Sequence, residues 1–108
     1  LRDCRFICSV KMHTQNMTVD EAKDFLMENA LMAETPAQKE AERGTFDPGY
    51  LNYTLGKLMI LKLREDWKVH EGDTLSLKRF HDTILSFGAP PIPLVRKLML
   101  TTDDGKIL

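Results

Sequence analysis

With 108 residues, the chain is long enough for one domain with a modest hydrophobic core, and its composition is that of an ordinary globular protein. Its 15 basic and 16 acidic side chains are mixed along the sequence without a Lys/Arg cluster, so a nucleic-acid partner is not expected. The longest nearly apolar run, residues 58–63, is too short to span a bilayer.

The first segment, residues 1–13, has a helical pattern in which a single polar stripe crosses an otherwise mostly apolar surface. At about 100° per residue, Arg2, Arg5, Ser9 and His13 fall within that one stripe. A polar stripe this narrow on a mostly buried helix is expected to face either water or a cleft.

Two cysteines, Cys4 and Cys8, lie four residues apart in this segment. On a helix this spacing puts both side chains on one face, a geometry that does not favour a disulfide between them. A structural zinc site needs a second cluster of ligands, which the sequence lacks. We therefore interpret the pair as two small buried thiols.

Start and stop signals predict further helices along the chain. Thr18 and Glu21 have the spacing of a capping box, which opens a helix. Thr35-Pro36 and Asp47-Pro48 each place an N-cap residue before a proline at the first helical position. Gly44, between them, is expected to end the short charged helix that Thr35 begins.

The longest predicted helix covers Gly49 to His70. Apolar residues recur along it at alternating spacings of three and four, and further leucines widen the stripe. So wide an apolar face predicts the central helix of a bundle, longest and most buried. The recurring positions are Tyr53, Gly56, Ile60, Leu63 and Trp67.

Two more helices complete the prediction. Ser76 is placed to cap one that Gly88 ends, and Pro93 to begin the last. Residues 101–108 are expected to form a frayed tail. With no strand pattern, the sequence predicts an all-α helical bundle of about five helices over residues 1–100.

Several short motifs, taken in their order along the chain, resemble those of a bacterial family known as domain of unknown function 885. Each motif alone is weak, but together they run from about residue 1 to about residue 100 in the right order. The segments that carry the resemblance are Arg5–Ile7, Met12–Ala22, Asp47–Leu51, Tyr53–Leu58, Ile60–Arg64 and Phe80–Asp82.

The resemblance implies a zinc-peptidase-like hydrolase related to helical carboxypeptidases. Family members are similar to peptidases with an HExxH zinc motif and a glutamate as third ligand. This chain contains no HExxH motif and no Glu-Gly-Trp-Ala-like motif that would supply the third ligand. The chain also begins at Leu1 without an initiator methionine. We therefore expect an upstream zinc-binding half in the same polypeptide, no metal ligand and no cofactor in this part, and a peptide substrate for the whole protein. The compartment, cytoplasm or cell envelope, stays open.

The same resemblance suggests three site residues. The arginine and histidine that family members carry eight residues apart correspond to Arg5 and His13, and a family tyrosine corresponds to Tyr53. His13 and Tyr53 would stabilise negative charge on the reacting carbonyl oxygen, and Arg5 would bind a substrate carboxylate. Ser9, Lys11 and Tyr50 depart from the family pattern, which bears on substrate range or activity.

Structural interpretations stand beside these functional ones. His13 could cap the end of the first helix, Arg5 could form a salt bridge to a neighbouring helix, and Tyr53 could be a core tyrosine. The Glu40–Arg43 run is interpreted as a solvated helix face, and His81 as a packing residue.

Two functions follow from the sequence. In the first, the chain is the accessory part of a zinc-dependent peptidase-like hydrolase, inactive alone, and lines the substrate cleft. The second is a non-catalytic helical interaction or scaffold module.

Overall fold

A computed structural model of the chain describes residues 1–72, 76–102 and 104–108. This part of the chain is helical and contains no strand, which confirms the all-α prediction with one α-helix more than expected. A short 3-10 helix, Pro48–Leu51, lies between the third and fourth α-helices. The α-helices are α1 (Arg2–Thr14), α2 (Val19–Ala30), α3 (Glu34–Gly44), α4 (Asn52–Glu71), α5 (Leu77–Ser86) and α6 (Ile92–Met99).

Contacts along the backbone group the chain into two compact units, the N-terminal unit (Leu1–Leu55) and the C-terminal unit (Gly56–Leu108). The domain bounds expected from the sequence, residues 1–100, stay a prediction. No helix in the described residues is long and apolar enough to cross a membrane.

In the N-terminal unit, α1, α2 and α3 pack around a core of small and medium-sized side chains. The cysteines of α1 are both free and buried, as expected from their spacing. On α3 the core positions are alanines, whose small side chains let neighbouring helices approach closely. The buried residues of this core are Cys4, Cys8, Ala22, Leu26, Ala37 and Ala41.

Helix starts in this unit agree with the sequence in one case and differ in another. Thr18 forms the predicted capping box with Glu21. The predicted start at Thr35-Pro36 is wrong, because α3 begins at Glu34 after an extended Ala33. Proline has no backbone N–H, but the N–H groups in the first turn of a helix have no acceptor within the helix. Pro36 in the first turn therefore costs α3 no hydrogen bond.

Asp47 does not cap the helix that follows it, as its position before Pro48 had suggested. Its carboxylate instead accepts hydrogen bonds from Nε and Nη2 of Arg43, at 3.1 and 3.0 Å. The arginine thus outcompetes the backbone for the side-chain oxygen, and the chain continues as one turn of 3-10 helix.

In the C-terminal unit, α5, α6 and the second part of α4 enclose a core that is larger and more aromatic. Ser76 caps α5 as predicted, accepting from the backbone N–H of Arg79. Pro93 lies in the first turn of α6. The described residues of 101–108 contain no helix, and Asp103 lies outside them; the frayed tail expected there stays a prediction. The core residues are Leu63, Trp67, Phe80, Val95, Met99 and Leu100.

At 20 residues α4 is the longest described helix, and it ends at Gly72, whose φ of +61° is a conformation that glycine adopts without strain. The expectation that it is also the most buried is wrong. Three of its 20 residues are buried, against three of the 11 in α3. Its apolar residues lie around the whole circumference, so one packed face leaves Leu58, Ile60 and Val69 exposed.

A candidate site on the first helix

The guanidinium of Arg5 is held by a carboxylate on α3. Its Nε and Nη2 donate to the two carboxylate oxygens of Glu40 at 2.8 and 2.6 Å, a bidentate arrangement. The two side chains are only 18% and 20% exposed. The hydroxyl of Tyr50, a buried residue of the 3-10 helix, lies 2.5 Å from Oε2 of Glu40 and 2.8 Å from its carbonyl oxygen. Arg5 therefore makes the interhelical salt bridge that the structural interpretation expected.

This cluster shifts the titration of its members. Burial by itself raises the pKa of Glu40, but the hydrogen bonds and charge of Arg5, helped by Tyr50 and Arg43, outweigh burial and lower it. Burial, with the adjacent carboxylate of Glu40, raises the pKa of the Tyr50 phenol. The ion pair is thus charged at neutral pH, and Tyr50 stays a hydrogen-bond donor.

Glu40 corrects the interpretation of residues 40–43 as a solvated face. Glu42 and Arg43 are exposed as expected, but Glu40 is turned inward. It lies one turn after Ala37 and next to Ala41, at the edge of the face that α3 buries. The charges of residues 40–43 alone could not predict that Glu40 is turned inward. The spacing of Ala37 and Ala41, one helical turn apart, indicates which face of α3 is buried.

The imidazole of His13 is oriented by the far end of α3. Its Nε2 lies 3.0 Å from the carbonyl oxygen of Gly44, the last residue of that helix. A carbonyl oxygen only accepts, so Nε2 carries the proton and Nδ1 is left for another partner. The carbonyls in the last turn of a helix lack partners within the helix, which explains the attraction. His13 thus donates a hydrogen bond to the C-terminal end of α3 and does not cap its own helix.

Tyr53 is not a core residue, since 64% of it is exposed. The guanidinium carbon of Arg2 lies 4.5 Å from the centroid of its ring, a cation–π contact. Beside it, the hydroxyl of Thr54 donates to Asp3 at 2.9 Å. These contacts place the start of α4 against the start of α1. The sequence placed Arg2 in the polar stripe without giving it a role.

The structure does not bring His13 and Tyr53 together. The partner of Tyr53, Arg2, stands at the first residue of α1 and His13 at its twelfth. A helix rises about 1.5 Å per residue, which separates these two positions by about 16 Å along the axis. Ser9, between them, is buried. The polar stripe therefore faces other parts of its own unit along most of its length.

The described residues do not fit a zinc ion. In residues 1–72, 76–102 and 104–108, no three side chains of His, Cys, Asp or Glu are placed to hold a metal. Cys8 is a poor donor, because burial and the neighbouring thiol of Cys4 raise its pKa to about 11. His13 points away from both cysteines around the helix.

A family model described as "Bacterial protein of unknown function (DUF885)" matches residues 1–99, nearly the whole chain. No curated protein and no solved structure matches the chain.

Proposed function

We propose, from the premise that this chain belongs to the bacterial family of unknown function 885, that it forms a wall of the substrate cleft in a zinc-dependent, peptidase-like hydrolase. Zinc ligands would come from residues outside this chain, because the described ones hold no suitable donor set. The observation that carries the proposal is the exposed imidazole of His13, fixed through Nε2 and free at Nδ1.

His13 would act on the oxygen of the peptide carbonyl that is attacked. Negative charge grows on that oxygen in the transition state, and an oriented donor there lowers the barrier. Since Nε2 already donates to Gly44, a neutral ring has only an acceptor left at Nδ1. The protonated ring can donate from Nδ1 while keeping its bond to Gly44, so the imidazolium is the form that supports the reaction.

Arg5 and Tyr53 take other roles in this proposal. Arg5 positions α1 on α3, because its guanidinium is already occupied by Glu40. Tyr53 and Arg2 would contact the substrate about 16 Å from His13, a distance that an extended peptide spans in about five residues. They would therefore contribute to substrate binding rather than to the chemical step.

The test is a kinetic comparison in the full-length, zinc-loaded protein with peptide substrates. We expect His13→Ala to lower kcat by about 100-fold with little change in KM, because the bond to the oxyanion exists only in the transition state. His70→Ala is the matched control, since His70 also lies near a helix end and hydrogen-bonds to Thr101 at 2.8 Å. Wild-type kinetics in the His13 variant of an active enzyme would refute the proposal.

The second candidate function is a non-catalytic helical interaction module. It is favoured by the outer side of α1, where Ile7 is 37% and Val10 36% exposed beside a half-buried Phe6. Two results together would favour this function. The full-length protein would not hydrolyse peptides, and the double substitution Ile7→Glu, Val10→Glu would change the oligomeric state of the protein in sedimentation experiments.

A further inference from the structure

An apolar groove of about 370 Å³ opens in the C-terminal unit. Its size lies at the lower end of the range for small-molecule sites. The wall on one side is the turn after α5, where Gly88 has a φ of +77° and Pro90 follows. Among the described residues that line the groove, none is an acid, a lysine or an arginine. The apolar lining includes Ile60, Phe80, Ile84, Leu85, Ile92 and Val95.

His81 is the single polar side chain of this described lining. Its ring stands edge-on to Phe80, with centroids 5.6 Å apart and an interplanar angle of 80°. Within the described residues neither of its ring nitrogens has a hydrogen-bond partner, whereas His13 and His70 both have one. Asp82, the nearest carboxylate in sequence, is paired with Lys78. His81 is thus held at the groove with its hydrogen-bonding capacity unused by the described part of the protein.

We propose that this groove binds a small ligand with an apolar aromatic or aliphatic body and one terminal carboxylate. The apolar body would displace water from the six apolar side chains, which is favourable in proportion to the area covered. The carboxylate would accept a charge-assisted hydrogen bond from the imidazole of His81. A cationic ligand would find no counter-charge among the described lining residues, and a fully apolar one would leave His81 unused. The inference does not depend on the proposed hydrolase function.

The experiment uses a matched pair of probes, 4-phenylbutyrate and 4-phenylbutanol, which differ at the polar end. Titration would be followed by NMR on the methyl groups of Ile84, Ile92 and Val95. We expect saturable shifts at these methyls with a Kd of about 2 mM for the carboxylate, the affinity typical of a ligand this small. The alcohol should bind about tenfold more weakly, because it cannot form the charge-assisted bond. N-Acetyl-phenylalanine as a third probe distinguishes a peptide terminus from a free acid, since tighter binding of this probe would identify the terminus as the source.

Variants locate the site. His81→Leu should reduce the affinity for the carboxylate to that for the alcohol. Leu85→Ala should weaken both probes about fivefold, whereas Leu98→Ala should change neither by more than about twofold. The two leucines are a matched pair, 72% and 63% exposed on helices of the same unit, and only Leu85 lines the groove. Both substitutions are at exposed positions, so the fold should persist in each.

Three outcomes would overturn the proposal. Shifts scattered over the surface, or absent at millimolar probe, would show that the groove is not a ligand site. Equal affinity for acid and alcohol, unchanged in His81→Leu, would remove the carboxylate from the argument. Concentration-dependent shifts of the same methyls without ligand would assign the groove to a second copy of the chain.

Discussion

Replacing Glu40 by glutamine tests what holds α1 against α3. The substitution keeps the size and shape of the side chain but removes the charge that Arg5 binds through two hydrogen bonds. It also replaces one acceptor oxygen by an NH2 group, which cannot accept from Arg5 or Tyr50. The Arg5 side chain, only 18% exposed, would then lack a counter-charge.

The expected cost lies between two reference cases. Exposed ion pairs contribute about 0–1 kcal/mol, whereas breaking a fully buried pair costs about 3–5 kcal/mol. Glu40 and Arg5 are about one-fifth exposed, so solvent still screens part of their attraction. We therefore expect Glu40→Gln to lower the free energy of unfolding by about 2 kcal/mol, equivalent to a fall in Tm of roughly 10 °C for a unit of this size.

The effect should depend on pH with a defined sign. Because the pKa of Glu40 is lower in the folded protein than in the unfolded chain, its contribution is fully present above the unfolded value. It is lost as the pH falls through the folded value, where the carboxylate takes up its proton. The difference in stability between wild type and Glu40→Gln should therefore be largest at neutral pH and shrink in acid, below about pH 4.

The assay is urea unfolding followed by far-UV circular dichroism, with a double-mutant cycle between Glu40→Gln and Arg5→Met. Glu42→Gln is the matched control on the same helix, where the carboxylate is exposed and bonded to Gln38 at 2.8 Å. The control should change the free energy of unfolding by no more than about 0.5 kcal/mol. An equally small effect of Glu40→Gln, or a coupling energy near zero, would refute the reasoning.

Three further outcomes are expected. Thr18→Ala removes the side-chain bond to the first turn of α2 and should lower the free energy of unfolding by about 1 kcal/mol in thermal melts; no loss would show that the cap is redundant. Cys8, with its pKa raised to about 11 by burial, should resist alkylation at pH 8 in the folded protein and react in urea, and rapid native labelling would contradict this. Long-range proton–nitrogen NMR should find neutral His13 protonated at Nε2, whereas an Nδ1–H tautomer would disprove its bond to Gly44.

Local signals predicted the helices well where the determining residues are close in sequence. The capping box at Thr18 and the cap at Ser76 involve side chains three residues from the N–H that they accept from, so the residue types and their spacing are enough to predict them. The same is true of the glycine that ends α4. The prediction failed at Asp47, where an arginine on the preceding helix competes for the carboxylate.

For the candidate site, the sequence predicted which residues share a helix face but not which residues they contact. Periodicity alone predicted that Arg5, Ser9 and His13 share one side of a helix, because 3.6 residues per turn fixes that arrangement locally. It left open what the stripe faces. Arg5 pairs with a residue 35 positions away, and His13 contacts one 31 positions away. Such partners are set by how helices pack, which the spacing within one helix does not encode.

The sequence by itself determined the helical class, most helix boundaries, the free cysteines and the family. Only the tertiary structure decided that the polar stripe is largely used within its own unit, that Glu40 is turned inward and that Tyr53 is exposed. The physical reason is the separation in sequence over which each kind of interaction acts. Backbone preferences and caps act over three or four residues, whereas the partners of a charged or aromatic side chain depend on contacts between helices that are distant in sequence.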